Sequence, residues 1–165
     1  MRKVILGGNP MSLFGNEIKV GEKFPNFVAS NKNLADYDFA KTEGVRIILA
    51  VPSVDTPVCD MELKRVAKEV SDLDGIKLIA ISKDLPFAQA RWCIDTENDD
   101  LETVSDYKHG EFGKVTGTLI NEVGLLARTS FVVDSQNMVV FAEYLEEVSS
   151  EPSYDKLLDA AKAAK

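Results

Sequence analysis

Arg46-Ile47-Ile48-Leu49-Ala50-Val51 is an apolar run behind a single arginine, closed by Pro52; Lys77-Leu78-Ile79-Ala80-Ile81-Ser82 repeats the pattern further on. Unbroken apolar runs of this length mark strands buried on both faces. Between them, from Val58 to Leu73, the period changes. Met61, Leu63, Val66, Ala67, Val70 and Leu73 recur at helical spacing with Lys and Glu between them, and Asp74-Gly75 supplies the stop. A buried strand, a helix and a second buried strand predict a parallel pair with a right-handed crossover.

Downstream, Pro86 opens a second helix through Ala90, Trp92 and Ile94. Thr96 to Tyr107 reads as an acidic loop. Thr129–Val133 and Met138–Tyr144 are strands made antiparallel by the turn at Asp134-Ser135-Gln136-Asn137. A closing helix runs from about Ser153 to Ala164, with Tyr154, Leu157, Leu158 and Ala161 on one face. Upstream, Val4–Leu6 and Met11–Phe14 flank Gly7-Gly8-Asn9-Pro10 as an N-terminal hairpin within about residues 3–15. Gly21 to Pro25 is a loop, followed by extended stretches around Phe27–Ala29 and Tyr37–Phe39. No repeat or composition break interrupts the chain, which predicts one domain over residues 1–165. The expected architecture is α/β, a mixed central β-sheet with helices on both faces, as in the thioredoxin class.

Composition narrows the chemistry. The 165 residues include 27 acidic and 19 basic side chains, a net charge of −8, two cysteines, one histidine and one tryptophan. The acidic excess argues against nucleic acid, whose phosphates call for clustered Lys and Arg. One histidine and two cysteines cannot by themselves furnish a four-ligand zinc site, and a Ser-His-Asp triad would rest wholly on His109. No apolar run reaches the roughly 18 residues a membrane span needs. Val4-Ile5-Leu6 is too short for a secretory core of about 7–15 residues, so a cytoplasmic location is expected. In that compartment cysteines are reduced or catalytic more often than structural.

The segment Pro52-Ser53-Val54-Asp55-Thr56-Pro57-Val58-Cys59 joins the first buried strand to the long helix. Pro57 lies just ahead of the helical period and puts Cys59 in the first turn. Open N–H groups and the positive end of the helix dipole favour a thiolate there. Since an ordinary cysteine of pKa about 8.5 is only about 3% thiolate at pH 7, such a position changes reactivity substantially. The hydroxyl of Thr56 suits an N-cap and a donor to sulfur. By position alone, the pair reads equally well as a capping threonine beside a buried, inert cysteine.

Other residues are equally open when read singly. Cys93 is too distant in sequence for a C-x-x-C dithiol; it suits either a second cysteine on a neighbouring helix or a packing residue beside Trp92. Arg128 reads as a surface arginine and Pro52 as a strand terminator. His109 reads as an exposed histidine in a polar turn, and Gly110 to Val115 lacks the spacing of a phosphate loop. Asp95, Glu97 and Asp99 alternate without the glycine of an EF-hand and read as a solvated loop.

Together these segments resemble a known family. Pro52-x-x-x-Thr56-x-x-Cys59 is similar to the active-site signature of peroxiredoxins. The stretches PSVDTPVCDMEL, DLPFAQARWC and GLLARTSFVVD, with the GGNPMSLFG hairpin and the EPSYDKLLDA close, resemble the thiol peroxidase subgroup, the atypical two-cysteine peroxiredoxins. The resemblance implies a thioredoxin-like fold and a peroxidatic Cys59 whose thiolate attacks a hydroperoxide and becomes a sulfenic acid. It implies that Thr56 hydrogen-bonds the sulfur and the peroxide oxygen. Arg128 would hold the thiolate and the developing charge, and Pro52 would shield the pocket. Cys93 would resolve the sulfenate as an intramolecular disulfide that thioredoxin reduces. It further implies a homodimer, and no cofactor or metal. Two other classes stand beside it: a protein thiol–disulfide oxidoreductase, against which the missing C-x-x-C counts, and a redox-inert binding domain on the same fold.

Overall fold

The computed structural model describes residues 2–95 and 101–165. Strands β1 (Lys3–Leu6) and β2 (Asn9–Ser12) form a hairpin. Strands β3 (Val28–Ser30) and β4 (Asp36–Asp38) then lead into a 3-10 turn at Phe39–Lys41. The βαβ unit follows as β5 (Val45–Ala50), α1 (Pro57–Ser71) and β6 (Ile76–Ser82). The remainder is α2 (Pro86–Asp95), β7 (Glu102–Ser105), α3 (Glu111–Thr116), β8 (Thr129–Val133), β9 (Val139–Tyr144) and α4 (Tyr154–Ala163).

Seven strands form one mixed sheet in the order β4-β3-β7-β6-β5-β8-β9. β5 and β6 pair in parallel, as the crossover helix requires, and β8 and β9 are antiparallel. β5 separates two cores because successive side chains leave a strand on opposite faces. Val45, Ile47, Leu49 and Val51 join Leu63, Val66 and Val70 of α1 and Leu157, Leu158 and Ala161 of α4. Ile48 and Ala50 face Phe24, Phe27, Phe39, Phe112 and Phe131. Each fully buried Val, Leu, Ile or Phe side chain is worth about 1.5–3 kcal/mol, so these two layers hold the sheet. They also fix the end of β5, from which the Cys59 segment departs.

Three features differ from the sequence reading. The acidic loop is interrupted: Glu102–Ser105 is the interior strand β7, paired with β6 and β3, while Thr96 to Asp100 lie outside the described residues. Its polar residues conceal it, because Thr103 and Ser105 are buried with Val104. The short helix α3 lies between Gly110 and Gly117, which mask it; the Asp106 carboxylate anchors it by accepting from Phe112 N and Gly113 N, both at 3.0 Å. In the hairpin, Gly7 and Gly8 alone take positive φ, so Asn9 and Pro10 belong to the strand. Helices lie on both faces as expected: α1, α2 and α4 contribute to one core, and α3, with the segment from Ile18 to Phe39, covers the other. Among the described residues no helix is long and apolar enough to cross a membrane.

Candidate active site

β5 delivers the chain to the sheet's centre, and Val51 and Pro52 continue it into buried positions. Thr56 is then the N-cap of α1 (φ −108°, ψ 146°), with Pro57 in the first turn. Its Oγ1 accepts from the amide of Cys59 at 3.3 Å and donates to the carbonyl of Ser53 at 3.2 Å. The cap thus satisfies one of the open amides of the first turn. It also directs the hydroxyl to backbone rather than to the sulfur, which differs from the expected bond between Thr56 and Sγ. Cys59 itself is fully buried.

The sulfur's donor is Arg128. Its Nη2 lies 3.1 Å from Cys59 Sγ, its Nη1 donates to Glu62 Oε2, and its Nε donates to the carbonyl of Val148 at 2.7 Å. Sheet register explains the meeting. Ala50 pairs with Thr129, so the residue before β8 falls beside the loop leaving β5. The Val148 carbonyl is fixed in turn, since Val148 N donates to Ile5 O at 2.9 Å and Ile5 N to Glu146 O at 2.7 Å. The N-terminal hairpin therefore supports the arginine's third contact. Arg128 is only 2% exposed, in contrast to the surface position that its sequence context alone suggests. Burial opposes its charge, but Glu62 and Cys59 beside it raise its pKa, so it is a permanent cation.

Glu62 is the residue that sequence reasoning missed, having grouped it with the polar face of α1. The buried face of that helix is Cys59, Glu62, Leu63, Val66 and Val70. A glutamate three residues after Cys59 falls on that apolar stripe, and this spacing was the available signal. Burial pushes its carboxyl up to about 7 against the opposing pull of Arg128. Its Oε1 is buried with no hydrogen-bond partner among the described residues.

Cys93 is half-buried on α2 and packs against the core cluster that contains Cys59; its Sγ lies 3.8 Å from Thr103 Oγ1 of β7. The two cysteines are not joined in a disulfide. Next to them in the chain, Trp92 Nε1 donates to Asp60 Oδ1 at 2.7 Å. Three of the five predicted residues therefore meet at the start of α1, Thr56 and Cys59 from one segment and Arg128 from beside the neighbouring strand β8, while Pro52 is buried at the head of that segment. Cys93 stands on the neighbouring helix. His109 is half-buried rather than exposed, with Nε2 2.9 Å from Asp36 Oδ1.

A buried cysteine at a helix N-terminus, bonded by a buried arginine, invites comparison with known proteins. The sequence profile of the AhpC/TSA family matches residues 20–142. The chain belongs to the AhpC/TSA family. Two curated relatives are thiol peroxidases: that of Clostridium acetobutylicum is 54% identical over 163 residues, spanning 99% of each chain. That of Bacillus subtilis is 42% identical over 164 residues, spanning 99% of this chain and 98% of the other. Among solved structures, a peroxiredoxin-like protein from Aquifex aeolicus superposes with a TM-score of 0.93 at 34% identity, covering 100% of this chain and 98% of that one. The thiol peroxidase from Chromobacterium violaceum gives a TM-score of 0.88 at 22% identity over 99% of this chain and 98% of the other, a likeness of fold alone. As a member of the AhpC/TSA family the chain is an enzyme of the peroxiredoxin class, with the thioredoxin-like fold expected from its sequence.

Proposed function

We propose that this chain reduces hydrogen peroxide and organic hydroperoxides, with Cys59 as the attacking thiolate and Cys93 as its resolving partner. The observation that carries the reading is the bond from Arg128 Nη2 to Cys59 Sγ in the first turn of α1. A fixed cation beside the sulfur stabilises negative charge there, and a charge-assisted bond of this kind is about twice as strong as a neutral one.

In the first step the Cys59 thiolate attacks the terminal peroxide oxygen and the O–O bond breaks. Sulfur is oxidised to the sulfenic acid, and the departing alkoxide or hydroxide takes a proton to leave as alcohol or water. Arg128 faces the site where charge builds, and the Thr56 cap and Pro52 hold the segment that presents the sulfur. In the second step the Cys93 thiol condenses with the sulfenic acid, forming the S–S bond and releasing water. The two cysteines occupy separate helices, so this step requires local unfolding of both helix ends. A dithiol protein of the thioredoxin type then reduces the disulfide, becoming oxidised itself and restoring two thiols. The enzyme acts as a single domain over residues 1–165, as a homodimer, in the cytoplasm, without cofactor or metal.

Peroxide consumption driven by thioredoxin and its reductase tests this reading. The wild-type chain should turn over; Cys59→Ser should not, and Cys93→Ser should complete one peroxide reaction without cycling. Turnover that persists in Cys59→Ser would overturn the assignment. Oxidation by a protein disulfide faster than by peroxide would favour a thiol–disulfide oxidoreductase.

A further inference from the structure

Asp84 lies in the connection between β6 and α2, and its carboxylate ties the segment before Cys59 to the end of β6. Oδ1 accepts from Ser53 Oγ at 2.7 Å; Oδ2 accepts from Val54 N at 2.9 Å and from Ser82 Oγ at 2.7 Å. On the Cys59 side, Ser53 continues the chain of bonds, since its carbonyl accepts from the Thr56 hydroxyl that caps Cys59 N. On the Cys93 side, Ser82 Oγ accepts from Gln89 Nε2 at 3.0 Å, and the same amide donates to Val104 O at 2.8 Å. Gln89 is buried on α2, one turn before Cys93 and therefore on the same face of that helix. The Asp84 carbonyl accepts in addition from the buried Ser105 hydroxyl of β7.

We propose that Asp84 is a positioning residue for the peroxidase reaction, holding the segment before Cys59 and the helix of Cys93 in their reduced arrangement as one unit. The inference rests on the reading of Cys59 and Cys93 given above. Attack on peroxide needs the Cys59 turn held in place, whereas disulfide formation needs both helix ends to leave their places. A carboxylate bonded directly to the first segment and, through Ser82 and Gln89, to the second favours the first state at the expense of the second. Loosening one segment loosens the other, because coupling through a shared group is reciprocal. The roles of the two bonded serines follow: Ser53 transmits to the Thr56 cap, and Ser82 transmits to Gln89.

A stopped-flow comparison of wild type and Asp84→Ala separates the two steps, using the rate constant with hydrogen peroxide and the first-order rate of disulfide formation. Removing three bonds to one carboxylate should lower the peroxide rate constant by about tenfold and raise the disulfide rate by a similar factor. Asp84→Asn, which keeps one accepting oxygen, should recover part of both changes. Ser53→Ala removes one of the three bonds to the carboxylate, together with the bond its hydroxyl accepts from Asp55 N at 3.1 Å, and should move both rates in the same directions by less, which supplies the test should Asp84→Ala not fold. Both rates unchanged, or both falling together, would overturn the proposal, since a general loss of structure gives no split of opposite sign. A wild-type chain whose Cys59 ignores peroxide would overturn the underlying reading instead.

Discussion

The indole Nε1 of Trp92 donates to Oδ1 of Asp60 at 2.7 Å, so the chain neighbour of one cysteine is bonded to the chain neighbour of the other. Asp60 is held as a carboxylate for this purpose. Burial acts to raise its pKa, but the bonds from Lys64 and Trp92 outweigh it and keep the carboxyl below its usual range. The Asp60–Trp92 bond ties α1 to α2 directly, beside the indirect link through Asp84.

Trp92 is the one tryptophan of the chain, which makes it a reporter of this contact. Peroxide should produce a fast emission change proportional to its concentration, then a second phase independent of concentration as the helices part. Stopped-flow fluorescence of Cys93→Ser should keep the first phase and lose the second. A second phase persisting without Cys93 would separate the helix movement from disulfide formation and contradict the account.

Arg128 makes three directed contacts that one ammonium group cannot reproduce. Arg128→Lys should therefore lower the rate constant with peroxide by about 10²–10³, the usual cost of losing a donor aimed at developing charge. Arg128→Ala additionally strands Glu62, and should lose about 3–5 kcal/mol of stability by denaturant titration at a pH where Glu62 is ionised. A lysine variant as fast as wild type would remove Arg128 from the reaction.

Glu62 gives the stability an unusual pH dependence. Its folded-state pKa, about 7, lies above the ordinary 4.5, so the folded protein holds a proton that the unfolded chain releases in that window. Its contribution is fully present below about pH 4.5 and is lost as pH rises through 7, amounting to on the order of 3 kcal/mol. Urea titrations at several pH values should show this loss in wild type and its absence in Glu62→Gln. Parallel curves for the two proteins would contradict the assignment.

The Thr56 hydroxyl caps the helix, accepting from Cys59 N and donating to Ser53 O. Thr56→Val should cost about 1 kcal/mol in thermal or chemical unfolding, as loss of an N-cap usually does, and slow peroxide reduction through a looser first turn. Thr56→Ser, which keeps the accepting oxygen, should restore stability. A serine variant no more stable than the valine one would show that the cap bond is not what matters.

Much of this was legible in the sequence because the central elements follow simple periods. Ile47 to Val51 and Leu78 to Ile81 are apolar without interruption, and α1 keeps its apolar spacing between Pro57 and Asp72. β7 was not legible because an interior strand can bury Thr103 and Ser105 when their hydroxyls find partners. The cysteine's placement followed from Pro57 and Thr56 alone. Arg128 did not follow from its neighbours, since only the register of β8 against β5 brings it to Cys59, and that pairing joins residues far apart in the chain. Glu62 was hidden by the expectation that a helical glutamate faces water, although its spacing from Cys59 placed it inward.

In the proposed reaction Cys59 is the residue that a hydroperoxide oxidises. The most direct test treats Cys93→Ser with one equivalent of hydrogen peroxide, traps sulfenic acid with a dimedone-type reagent, and maps the adduct by peptide mass spectrometry. The adduct is expected on the peptide carrying Cys59, and none when Cys59→Ser is treated in the same way. An adduct found on Cys93 of Cys59→Ser at the same rate, or no adduct on Cys59 while peroxide is consumed, would contradict it.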